Sequence, residues 1–254
     1  MEEVILGDCL EVMPKIADKS VDMILCDLPY GTTACAWDTI IPFEPLWEHY
    51  KRIIKDNGAI VLTASQPFTS ALVMSNIKMF KYEIIWEKER PTNIFSMKKQ
   101  IGKVHENILV FYKNPPIYNP VKEAALQPKN NSSTNKSQSG RKAEMEYIFG
   151  QESPLTLKGD KDYDPTLRYP RSVLRFARGT RNSQKFHPTQ KPVALFEYLI
   201  KTYTNEGNLV LDNCAGSGTT GIAARNLNRQ FILIEKEPEY VEIIKNRLAQ
   251  EKLF

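Results

Sequence analysis

The stretch that most restricts the fold runs from Asn208 to Glu235. Asn208-Leu209-Val210-Leu211-Asp212 reads as a buried strand, Asn213-Cys214-Ala215-Gly216-Ser217-Gly218-Thr219-Thr220-Gly221 as a glycine-rich turn into a helix with Ala223 and Ala224, and Gln230-Phe231-Ile232-Leu233-Ile234 as the next strand. Gly216, Gly218 and Gly221 fit G-x-G-x-x-G, and Glu235 stands nineteen residues beyond Gly216. In that arrangement glycines let a ligand approach the backbone and the acid accepts from ribose hydroxyls, within the βαβ unit of a doubly wound sheet. Taken alone, the spacing is that of a dinucleotide dehydrogenase. Asp212 argues otherwise, because a carboxylate at the turn repels a pyrophosphate and suits a cationic ligand such as the amino-acid end of S-adenosylmethionine. No dehydrogenase-like catalytic set accompanies it.

The rest of the chain supplies strands and helices in alternation. Val4-Ile5-Leu6 is a short strand, and Gly7-Asp8-Cys9 turns into a helix with Leu10, Met13 and Ile16. Asp8 either binds a ligand's amino group or caps that helix. Val21-Asp22-Met23-Ile24-Leu25-Cys26 is a buried strand that delivers Asp27-Leu28-Pro29-Tyr30 to its carboxyl end, where open α/β sheets place their chemistry. There a carboxylate can accept from an amino group, a proline fixes the neighbouring carbonyls, and a tyrosine offers a face for stacking a base. An ordinary strand followed by a proline turn, with Asp27 as a cap and Tyr30 in the core, fits the same four residues.

A helix over 43–55 carries Leu46, Tyr50, Ile53 and Ile54 on one side, with Asn57-Gly58 as its left-handed C-cap. Ala59-Ile60-Val61-Leu62-Thr63 is a third strand, and Gln66-Pro67-Phe68 opens a further helix. Strands over 82–87 and 106–112 follow, joined by the basic and polar residues 88–103 as a loop over the strand ends. The last helix starts near Pro238. This alternation predicts a parallel sheet covered on both faces.

The chain of 254 residues is long enough for one large α/β domain with an insertion, and 42% hydrophobic with 25% charged residues is ordinary for a globular protein. No apolar run approaches membrane-spanning length and the first residues lack a signal-peptide pattern, so a cytoplasmic protein without membrane attachment is expected. Cys9, Cys26, Cys35 and Cys214 form no C-x-x-C pair, and His49, His105 and His187 form no cluster; reduced structural thiols and no metal are expected. The net charge of +4 is modest, yet Arg168, Arg171, Arg175, Arg178, Arg181, Lys185 and Lys191 fall in one stretch without an acid, a footprint for phosphate. Residues 114–140 are rich in Pro, Asn, Ser and Lys, and a mobile segment is expected near 127–142.

Three segments together resemble a known family. Asp27-Leu28-Pro29-Tyr30 resembles the D-P-P-Y motif of amino-group DNA methyltransferases, Asp212 through Thr220 resembles their D-P-F-x-G-S-G-T-T cofactor motif, and His187-Pro188-Thr189-Gln190-Lys191-Pro192 is similar to the segment that precedes it. The catalytic motif comes first, as in the circularly permuted β class. The resemblance covers nearly all of the chain outside 114–185. Leu28 stands for the first proline of D-P-P-Y, and Asn213-Cys214 for the usual proline and phenylalanine.

The resemblance implies a Rossmann-like S-adenosylmethionine-dependent methyltransferase fold: a mostly parallel twisted sheet with helices on both faces, circularly permuted, with a target-recognition insertion. Residues 1–113 would be its catalytic part, 114–185 the insertion and 186–254 the cofactor-binding part. Asp212, Ala215, Gly216, Ser217, Gly218 and Thr219 would line the methionine side of the cofactor, Gln190 and Lys191 its carboxylate end, Glu235 its ribose, and Asp8 with Cys9 its adenine. Asp27 and the Leu28 carbonyl, held by Pro29, would accept from the target amino group, and Tyr30 would stack on the base. Arg168, Arg171, Arg175, Arg178 and Arg181 would contact DNA. The implied reaction is adenine-N6 methylation of flipped bases in double-stranded DNA, with cytosine-N4 methylation and a non-catalytic DNA-binding relative as alternatives. Implied partners are a second copy of the chain and a cognate restriction endonuclease.

Overall fold

The computed structural model describes residues 1–32, 38–124, 164, 166–177 and 190–250. The expected mobile segment, Cys35, Arg178, Arg181, Lys185 and His187 lie outside them. The chain divides into two compact units, Met1–Asn119 with Arg171–Phe254, and Pro120–Pro170.

In chain order the first unit begins with β1 (Glu2–Leu6), α1 (Cys9–Val12) and β2 (Val21–Asp27). Then come α2 (Phe43–Ile53), β3 (Ile54–Ala64), α3 (Phe68–Ser75), β4 (Phe80–Glu87) and β5 (His105–Phe111). The second unit contributes a two-stranded antiparallel pair, β6 (Glu123–Ala124) and β7 (Leu167–Arg168). The first unit resumes with β8 (Val173–Arg175), α4 (Val193–Tyr203), β9 (Leu209–Asp212), α5 (Thr219–Asn226), β10 (Gln230–Glu235) and α6 (Pro238–Gln250). Its sheet has the order β1-β10-β9-β2-β3-β5-β4-β8.

Strict alternation along the strands builds a core on each face. Ile24 and Cys26 of β2, Ile60 and Leu62 of β3, and Ile232 and Ile234 of β10 pack with α2 and α3. Met23 and Leu25, Ala59 and Val61, and Phe231 and Leu233 face the other way, onto α4, α5 and α6. Strands apolar on both faces are those expected of a sheet sandwiched between helices.

Two local expectations are corrected. The sheet is mixed, because β5 runs antiparallel to both β3 and β4. The connection from β4 to β5 holds only a short 3-10 turn over Ile94–Ser96, and without a crossover helix the chain returns beside the strand it has left. The pair Asn57-Gly58 is not a helix cap. Helix α2 ends at Ile53, Ile54 is already extended, and Asn57 and Gly58 lie inside β3. Gly58 is needed for close approach: a Cβ there would meet the Asp22 carbonyl at 2.8 Å and Ile54 at 2.7 Å. Gly58→Ala is therefore expected to destabilise the fold by about 1–3 kcal/mol through overpacking. That would lower the melting temperature by several degrees in a thermal scan; an unchanged or higher value would contradict this reading.

Candidate active site

The winding of the sheet reverses between β9 and β2. From β9 the chain proceeds outward through β10, from β2 outward through β3, and β2 and β9 themselves pair in parallel with Met23 opposite Val210 and Ile24 opposite Leu211. Open α/β sheets form their ligand crevice at such a switch point. Here it brings Asp27 and Asp212, 185 residues apart in sequence, to neighbouring strand ends.

A cleft of about 650 Å³ opens there. It is lined by Asp8, Cys9, Asp27, Leu28, Pro29, Tyr30, Gln190, Lys191, Asp212, Ala215, Gly216, Ser217, Thr219 and Glu235, all expected from the sequence. Gly218 is outside the lining. It adopts φ +80 as the N-cap of α5, and a Cβ there would meet Ile244 at 2.9 Å, so its absence of a side chain seats α6 against the turn.

At one end of the cleft the glycine turn is braced by acids. Glu235 accepts from the Gly216 N–H at 2.7 Å and the Glu237 N–H at 3.0 Å, while burial pushes its carboxyl above the ordinary range. Asp212 accepts from the Cys214 N–H and the Thr220 hydroxyl, and burial pushes it up to about 6. Asp8 caps α1 by accepting from the Leu10 N–H at 2.8 Å and also lines the cleft, so capping and lining coexist.

At the other end Asp27 sits in a dense network. Its Oδ1 accepts from the Tyr30 hydroxyl at 2.6 Å and from the Thr63 hydroxyl, and its Oδ2 accepts from Lys191 Nζ at 2.5 Å. Lys191 also lies 3.5 Å from Glu106 Oε2, and the other Glu106 oxygen pairs with Lys88. The result is a row of alternating charges, Lys88, Glu106, Lys191 and Asp27, with both lysines buried and both acids partly exposed. Burial works against the Glu106 carboxylate, but the charges of Lys191 and Lys88 hold it below the usual range. Burial likewise disfavours the Lys191 ammonium, and Asp27 with Glu106 raises it above the usual lysine value.

The Lys191 backbone lies by the glycine turn, with its carbonyl 3.5 Å from the Thr219 hydroxyl, while its side chain reaches the catalytic motif. Tyr30 stacks on Phe68 at 5.3 Å between centroids, with the Lys191 ammonium 5.6 Å from its ring. Leu28, which replaces a proline, is 3% exposed and packs into the core under α2, so packing rather than a ring aims its carbonyl. Asn213, the other departure, accepts from the buried Tyr50 hydroxyl at 2.6 Å.

Several lining residues escaped the sequence reading. Lys88, just past β4, and Glu106, near the start of β5, line the cleft, and Thr63 of β3 joins them through its hydrogen bond to Asp27; the available signal was an acid placed ahead of the apolar run 108–111. Asp38 fixes the chain after Tyr30 by accepting from the N–H groups of Gly31 and Thr32, both at 2.9 Å. Cys9 and Cys26, far apart in sequence, are buried in one core cluster with Cys214 packed against it, and burial pushes the Cys26 thiol up to about 12. Among the expected DNA contacts, Arg171 is exposed, Arg175 pairs with Glu87 at the sheet edge, and Arg168 belongs to β7 of the second unit. None of the three lines the cleft.

A carboxylate network beside a glycine turn with two further acids, all at one switch point, defines an α/β protein that seats a cationic ligand next to an acceptor for a second substrate. The chain belongs to the DNA methylase family, whose profile it matches over residues 21–246. It is 30% identical to the DNA adenine methyltransferase YhdJ of Escherichia coli (strain K12), over 96% of this chain and 82% of that one. It is 28% identical to the type II methyltransferase M2.MboI of Moraxella bovis, over 95% and 85%. Among solved structures, the M1.HpyAVI–SAM complex is 26% identical with a TM-score of 0.60, covering 97% of this chain and all of that one. The cytosine-N4-specific PvuII DNA methyltransferase, at 16% identity and a TM-score of 0.66, shares the fold.

Proposed function

We propose that the chain transfers a methyl group from S-adenosylmethionine to the N6 amino group of adenine in double-stranded DNA. The observation that carries this reading is the placing of Asp27 and the acid-braced glycine turn in one cleft. The donor set fits the cofactor. Asp212 is an anion for its cationic end, Glu235 an acceptor for ribose hydroxyls, Asp8 an acceptor for its adenine amino group, and the positive φ of Gly216 and Gly218 keeps the turn open to it. When bound, the cofactor supplies an electrophilic methyl group.

The protein's own residues then act on the acceptor. An exocyclic amino nitrogen delocalises its lone pair into the ring, so it needs reshaping rather than a cysteine nucleophile. Asp27 and the Leu28 carbonyl accept its two hydrogens and localise the lone pair. A carboxylate has about four acceptor sites; Tyr30, Thr63 and Lys191 take three on Asp27 and leave one for the substrate. Because the target amino group is paired in duplex DNA, the base must leave the stack, at a cost of a few kcal/mol. Stacking on Tyr30 would offset about 1–3 kcal/mol of it.

The second unit and the arginines at 168, 171 and 175 would read the DNA, which in this account lies in the cytoplasm. A homodimer and a cognate endonuclease remain part of the proposal, the endonuclease through the likeness to type II enzymes. Mass spectrometry of nucleosides from treated DNA tests the target: N6-methyladenine is expected, and N4-methylcytosine alone would refute it. Asp212 gives a pH prediction. Its ionised form attracts the cofactor's cation, so affinity should hold above neutrality and fall as pH drops through about 6. Calorimetric titrations that give the same Kd at about pH 5 and about pH 8 would contradict the role of Asp212.

A further inference from the structure

The connection between β4 and β5 has features that the cleft chemistry does not use. Along it Ile94, Phe95, Met97 and Ile101 are exposed, Phe95 at 104% and Ile101 at 94%. Apolar side chains of this size collected on one rim mark a surface that another molecule covers. Arg90, Lys98 and Lys99 stand exposed among them, and Glu89 is the one acid in residues 88–104.

The loop is clasped rather than slack. Asn93 Nδ2 donates to the Ile101 carbonyl at 3.0 Å, the Lys103 N–H donates to Asn93 Oδ1 at 2.7 Å, and the Thr92 N–H donates to the Lys103 carbonyl at 3.0 Å. Lys103 ties the clasp to Ser65 at the end of β3. Thr92, Asn93 and Lys103 also line the cleft that holds Asp27, so the apolar edge stands at its mouth.

We propose that this loop is a wedge for duplex DNA: Phe95, with Ile94 and Met97 beside it, enters the base stack next to the departing target base, while Arg90, Lys98 and Lys99 take the flanking phosphates. Apolar wedges between base steps and cations on the backbone are the chemistry that unstacks a duplex. A preformed clasp presents the wedge without an ordering cost. The inference rests on the proposed DNA substrate, but its test does not require methyl transfer.

The photoreactive residue p-benzoylphenylalanine is placed at position 95, and in a second protein at position 82. Tyr82 is exposed near the start of β4, at the end away from the cleft. Each protein is irradiated with a fluorescent duplex of mixed sequence. The wedge predicts protein–DNA adducts from position 95 at least about tenfold above those from position 82. Equal yields, or protein–protein adducts from position 95 in their place, would overturn it. Phe95→Ala should also lower kcat on duplex DNA about tenfold with the KM for S-adenosylmethionine unchanged. Strong adducts from a protein that methylates nothing would refute the activity and support the DNA contact.

Discussion

Asp27→Asn is expected to lower kcat by about 10³-fold while leaving the affinity for S-adenosylmethionine within about twofold, by analogy with the loss of one preorganised hydrogen-bonding group aimed at charge that develops in the transition state. The substitution keeps the shape of the side chain. Lys191 retains Glu106 as a partner 3.5 Å away, so the fold should survive. What changes is the acceptor: the amide has one oxygen where the carboxylate has two, and the Tyr30, Thr63 and Lys191 donors already claim acceptor sites there. An enzyme that kept a tenth or more of its activity would show that the amino group is polarised elsewhere.

Lys191→Met should cost about 10²-fold in kcat at neutral pH. The sequence-based role for Lys191 was at the cofactor, but its ammonium lies between two carboxylates, 2.5 Å from Asp27 and 3.5 Å from Glu106. Removing it leaves those acids facing one another with only Lys88 to compensate, and Glu106 loses one of the two charges that hold its carboxyl below the usual range. Lys191→Arg keeps the charge and should recover much of the loss. A methionine variant as slow as the arginine variant would make Lys191 a packing residue instead.

How far the site could be read in advance follows from the range of the interactions that build it. Asp27 and Asp212 were legible because each ends a short apolar run, and a strand end is a local property of sequence. The glycine turn was legible for the same reason. That the two motifs share a cleft came from their order and family resemblance; physically it is the β2–β9 pairing, which no local pattern encodes. The row from Lys88 to Asp27 was not legible, since its members come from the loop just after β4, from β5, from the approach to α4 and from β2, and meet only after the sheet has formed.

Two misreadings have a common cause. Asn57-Gly58 carries the signature of a helix end, yet it falls within β3 at the irregularity between the Val21–Ile54 and Met23–Ala59 pairs, where the Asp22 backbone passes too close to Gly58 for a Cβ. The run 106–112 has the composition of a buried parallel strand, yet it is antiparallel because the preceding connection lacks a crossover helix. In both cases the neighbour across the sheet, rather than the segment itself, decides the outcome.

The central claim is that one cleft joins cofactor to DNA through Asp27. Its most direct test is transfer of labelled methyl from S-adenosylmethionine to unmethylated duplex DNA, with wild type and Asp27→Asn assayed side by side at equal cofactor occupancy. Label recovered as N6-methyladenine from the wild type, and about 10³-fold more slowly from the variant, is the predicted result. A wild-type protein that binds the cofactor but leaves the DNA unlabelled, or a variant that labels it as fast, would contradict the account.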